Sequence, residues 1–232
     1  MPGMTRRVLL SLMIATTSPA LAQGPVAIGL TTTGQPTTVT LSGQNAGVGG
    51  FRGATWGMTP DQVRAALASD FGGAKAGALI DDPVEGTQAL IAPMVSLTPG
   101  PGPAAITYIF GGKSGRLMHV NLDWTVANAG AADQSAILDG GSRLVADFVG
   151  SFWKLGSVMR GVVVRPNVII LFAGADEKGG GVDVRVGGVP YAMRVDGEMR
   201  TIAPTAKSAT LHVSFAAPGS THETTAIQPG AF

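Results

Sequence analysis

The chain has 232 residues, and its 16 Lys and Arg stand against 15 Asp and Glu, a balance that offers no electrostatic case for binding nucleic acid or an anionic membrane. It has no Cys, which excludes disulfides, thiol catalysis and thiolate metal sites together. Charged residues make up 13% of the chain and Gly numbers 34, so the expected fold is turn-rich, lightly charged and held by a large core alone.

The chain begins with a three-part pattern. Arg6 and Arg7 precede the apolar run Val8–Ala15, and Ala20-Leu21-Ala22 forms a small-x-small cleavage box. This order predicts a signal peptide over residues 1–22, cleaved after Ala22, and hence a periplasmic or secreted protein. The run is shorter than the roughly 20 residues that span a bilayer, and Pro19 ends it. Later apolar stretches are interrupted by Arg160, Arg165 and Pro166, so no membrane span is expected. Thr5–Leu10 also resembles a twin-arginine export signal, though the ordinary secretory route is the expectation. No Cys lies near the cleavage point to accept a lipid.

Residues 23–50 are rich in Gly and Thr and read as a flexible segment. Within it Thr37–Leu41 suits a short strand and Asn45–Gly50 a joint, with order beginning at Phe51. Thr59 then fits a helix N-cap, Pro60 the first helical position, and Gln62 the reciprocal capping residue. Val63, Ala66 and Leu67 share a face, the helix is predicted to run to Ser69 or Asp70, and Gly72-Gly73 stop it. Asp81, Asp82 and Glu85 suggest an acidic loop. Ala89–Leu97 suggests an edge strand, because Pro93 lacks the N–H that a central strand needs. Thr98–Pro103 reads as an irregular connector.

A period of two follows. Ile106, Tyr108 and Phe110 share one strand face; Met118, Val120, Leu122 and Trp124 share the next, with His119, Asn121 and Asp123 on its polar side. A second helix is predicted over Ala131–Phe152, its apolar stripe running through Ile137, Leu138, Leu144, Val145, Phe148, Val149 and Phe152. Gly140-Gly141 in that stripe either kinks the helix or admits a strand closely. Val158–Val164, Val168–Ala173, Gly181–Val186 and Ala209–Phe215 read as strands, with a hairpin turn at Asp176–Gly180. The expected architecture is α+β: antiparallel sheet with two main helices on one face. It spans residues 51–217 as one domain of two loosely similar halves, 51–128 and 129–217, with a frayed tail at 218–232.

Few residues suggest chemistry. Gly112-Lys113-Ser114 spells the end of a phosphate loop, but Thr107 stands where the earlier Gly belongs and a strand, not a helix, follows, so a hairpin turn is expected. His119 and His212 sit on polar strand faces. A zinc or catalytic pair would require them adjacent with a carboxylate, for which Asp123 is the candidate, and plain solvated His is the default. His222 lies in the tail. Asp81, Asp82 and Glu85 lack the alternating spacing of a calcium loop, and no G-x-S-x-G is present. Trp56, Trp124 and Trp153 adjoin apolar faces and read as core plugs rather than a sugar platform. No catalytic, cofactor or metal residue is therefore assigned.

The stretch FRGATWGMTPDQV, with ITYIF and GRLMHVNLDW after it, resembles a module of small secreted bacterial proteins. It is similar in outline to the helix-on-antiparallel-sheet units of β-lactamase-inhibitor-like and outer-membrane-assembly lipoprotein domains. The matching positions are Phe51, Trp56, Gly57, Thr59, Val63, Tyr108, Phe110 and Trp124. The chain departs from the lipoprotein pattern in having no lipidated Cys, and from the inhibitor pattern in having no disulfides. The resemblance implies a noncatalytic binding fold and transfers no functional residue. The expected function is that of an exported, noncatalytic binding or accessory protein of the bacterial envelope, with another envelope protein as partner. The alternatives are an envelope hydrolase whose carboxylates converge only in the fold, or an apolar-ligand carrier.

Overall fold

Residues 44–220 are described by a computed structural model. The signal peptide expected over residues 1–22, the strand expected at Thr37–Leu41, His222 and most of the expected tail lie outside the described residues. Eight strands form one sheet: β1 (Leu79–Asp82), β2 (Thr87–Leu97), β3 (Gly102–Gly111), β4 (Leu117–Val126), β5 (Val162–Arg165), β6 (Val168–Ala175), β7 (Gly181–Gly187) and β8 (Ala209–Ala216). Their order is β1-β2-β3-β4-β8-β7-β6-β5. Every neighbouring pair is antiparallel. Helix α1 (Pro60–Asp70) precedes the first four strands and α2 (Ala131–Val149) the second four. Each half is thus a helix followed by four strands, and the two last strands, β4 and β8, meet at the centre. The fold is α+β.

The period of two decides which face is covered. Across the central strands Leu122 lies opposite Ile106 and Val213, and Trp124 opposite Leu211. Val213 and Leu211 lie in turn opposite Val184 and Val186. These residues share one core cluster with Val63 and Leu67 of α1 and Ile137 of α2, so both helices cover the same face. Fully burying an aliphatic side chain contributes about 1.5–3 kcal/mol, and this row supplies the stability that a chain without Cys cannot take from disulfides. Tyr108 is fully buried in the row, and its hydroxyl has no hydrogen-bond partner among the described residues. Burial, helped by the Asp70 carboxylate and opposed by Arg52, pushes the phenol up to about 12.

Helix α1 forms as its sequence dictates. The Thr59 hydroxyl accepts from the Gln62 N–H, the Gln62 side chain accepts from the Thr59 N–H, and Pro60 opens the first turn. Gly72 and Gly73 follow in left-handed geometry. In α2 the Gly140-Gly141 pair makes no break in the helix. A Cβ on Gly141 would lie 2.7 Å from Leu171 Cδ1 and 3.3 Å from Leu211 Cδ1, so the pair lets the helix sink onto the sheet.

Several expectations change. Leu79–Asp82 is the edge strand, not a loop, and β2 lies inside it. Pro93 is tolerated in β2 because it falls in a bulge between Ala92 and Val95, beyond the Thr87–Leu90 stretch that β1 covers. A second bulge puts Leu117, rather than Met118, opposite Phe110 and into the core. Helix α2 stops at Val149, and Ser151–Phe152 instead pairs in parallel with Gln44–Asn45. The stretch before Phe51 therefore carries structure, and Val48 is buried within it. A further hairpin, Tyr191–Val195 with Glu198–Ile202, turns through Asp196 and Gly197, both at positive φ.

Candidate functional site

The face of the sheet away from the helices carries the polar half of each alternation. Because β4 and β8 run antiparallel in register, Asp123 stands opposite His212, Asn121 opposite Ser214, and Thr125 opposite Thr210. Strand β7 continues two of these rows, with Arg185 opposite His212 and Asp183 opposite Ser214. Strand β3 adds Thr107 opposite Asn121. Sheet pairing alone thus assembles a polar patch from residues far apart in the chain.

The patch is internally bonded. His212 Nδ1 lies 2.7 Å from Asp123 Oδ1, and the Ser214 hydroxyl donates to Asn121 Oδ1 over 2.8 Å. Arg185 Nε reaches Asp183 Oδ1 at 2.5 Å. The side chains of His212 and Asp123 are 31% and 44% exposed, so the pair is open to solvent and to a ligand. His119, also on this side of β4, is held below its ordinary 6.5 by burial and is neutral at pH 7. Thr107, His119, Asn121, Arg185, His212 and Ser214 of this face line a hollow of about 470 Å³, to which Asp82 and Glu85 also contribute.

Such a surface can hydrogen-bond a partner, and a carboxylate on Nδ1 leaves Nε2 of a neutral His212 as an acceptor. No nucleophile is paired with His212 among the described residues; the Ser214 hydroxyl is directed to Asn121 instead. Nor does any group of three or more His, Asp or Glu residues among them form a metal-binding cluster.

The other candidates have structural partners. Asp82 Oδ1 accepts from the N–H groups of Val84 and Glu85 and caps the β1–β2 turn, whereas Asp81 accepts from the side chain of Gln88 opposite it in the ladder. Gly112-Lys113-Ser114 turns the hairpin from β3 to β4. The three Trp rings belong to the core or pack against it, each indole N–H donating to a backbone carbonyl: Trp56 to Val48, Trp124 to Gly102, Trp153 to Phe148.

The alternation places His119, Asp123 and His212 on polar strand faces; the structure joins His212 to Asp123 and leaves His119 two rows away, opposite Ala216. The sequence alone does not single out Asn121, Ser214, Asp183 or Arg185 as a group. Their signal was the alternation with Val182, Val184, Val186, Leu211 and Val213, and the missing information was strand order. No protein-family model, curated protein or solved structure matches the chain.

Proposed function

We propose that this is an exported, noncatalytic binding protein of the bacterial cell envelope, and that it docks another envelope component on the open face of its sheet. The observation that carries this reading is the hydrogen-bonding patch of half-buried Asp123, His212, Asn121 and Ser214 with exposed Arg185, on central strands whose other face is packed in the core. Sheet pairing holds these groups in place before a partner arrives, which lowers the ordering cost of association. The export pattern at residues 1–22 and the resemblance to noncatalytic helix-on-sheet modules support the same reading. A carrier of apolar ligands would need space between sheet and helices, and Ile137, Leu211 and Phe172 fill it.

The 2.7 Å His212–Asp123 contact favours a second reading, a hydrolase in which Asp123 orients His212 as general base. One experiment separates the two. A photoreactive residue at Thr107 or Ser214 is expected to cross-link one defined envelope protein in cells, while the same residue at Asp147 on α2 does not. Equal capture from both faces removes the docking reading. Steady hydrolysis of an ester, peptide or glycan substrate, lost in His212→Ala, establishes the enzyme instead.

A further inference from the structure

The two edges of the sheet are unlike. Strand β1 presents Asp81 and Asp82, with Glu85 in the following turn, and carboxylates on an edge repel an added strand. Strand β5 presents three consecutive valines, Val162, Val163 and Val164, exposed by 39%, 38% and 48%. Just before it Met159 is 47% exposed and Leu155 99%. Met159 already bridges to Ala173, so the apolar border continues beyond the strand itself. Pro166 and left-handed Asn167 close the strand with a tight turn into β6. One backbone edge of β5 pairs with β6 and the other has no strand beside it among the described residues.

We propose that β5 pairs antiparallel with β5 of a second copy of this chain, joining two eight-stranded sheets into one. The charges fit a like-with-like contact. Arg160 is folded back over the Phe172 ring, its guanidinium carbon 5.5 Å from the ring centre, and leaves the valines clear. With the two-fold axis at Val163, Val163 faces its own copy, Val162 faces the partner's Val164, and Arg165 faces the partner's Gly161. The two Arg165 side chains then sit at opposite ends of the ladder, and no like charges face each other across it. Because the acidic β1 edge cannot accept the same contact, the association closes as a symmetric dimer rather than growing into a filament. This contact is separate from the open-face patch and stands whether or not that patch docks a partner.

The absence of Cys provides the test. Facing residues of an antiparallel pair have the Cα separation that a disulfide needs. Val163→Cys is therefore expected to form a disulfide-linked dimer on mild oxidation, while Ile80→Cys on the β1 edge remains monomeric. Sedimentation equilibrium of the unaltered protein should show a dimer that dissociates on dilution. Val163→Asp should raise its dissociation constant by about tenfold or more with an unchanged circular-dichroism spectrum. If Val163→Asp fails to fold, the cysteine comparison decides alone. A monomer at every concentration, or cross-linking of Ile80→Cys as fast as of Val163→Cys, overturns the proposal.

Discussion

Asp176 is the one charged side chain buried among the described residues, at 4% exposure. Its Oδ1 accepts from the N–H groups of Lys178 and Gly180, which shapes the β6–β7 turn, and its Oδ2 accepts from the Val48 N–H at 2.8 Å. Burial opposes its ionisation, but the backbone donors of Val48, Gly180, Lys178 and Gly179 outweigh burial and hold the carboxyl below its ordinary 3.8. A depressed folded pKa contributes stability that is present above the ordinary value and is lost as pH falls through the folded one. Asp176→Asn is thus expected to cost about 1–3 kcal/mol at neutral pH by leaving buried donors poorly paired. In urea unfolding the gap between variant and parent should narrow only below about pH 4. A gap of constant size down to strong acid would contradict this origin. The turn was legible in Asp176–Gly180, but its anchor was not: Val48 lies 128 positions away, inside a stretch whose Gly content reads as a joint.

At the scale of elements, α2 shows why a glycine pair can persist in a helix. Gly costs about 1 kcal/mol relative to Ala in a helix interior, yet Gly140 and Gly141 face the sheet and are buried. A side chain at Gly141 would enter the space of Leu171, Val186 and Leu211. Gly141→Val should destabilise the protein by about 1–3 kcal/mol through overpacking, read as a lower urea midpoint with an unchanged slope. An unchanged or raised midpoint would show that the helix does not press on β7 and β8 as described. The two permitted readings of the pair, a kink or a close approach, could not be separated from the helix's own residues, because the neighbour belongs to other strands. Pro93 teaches the same lesson in reverse. Its missing N–H predicts an edge strand, but a bulge and a short neighbour satisfy the rule inside the sheet.

At the scale of the molecule, the joint between β4 and β8 makes the two halves share one sheet and one core. Trp56 and Trp124 report on the first half and Trp153 on the second. Tryptophan fluorescence and far-UV circular dichroism should therefore lose signal in one coincident urea transition. Two separated transitions would mean that the halves unfold independently and that the central ladder adds little.

Helix α1 with its caps, the hairpin turn at Gly112-Lys113-Ser114, the core stripe of β3, the strands β7 and β8, and the α+β class all followed from the sequence by itself, because caps, turns and periods are properties of neighbours along the chain. The order of the strands was decided only in the tertiary structure, and with it the meeting of His212 and Asp123, 89 positions apart. Alternation assigns each residue a face but is indifferent to which strand lies alongside. That choice is made by burying both helices and every strand's apolar row in one core, a condition on the whole chain at once.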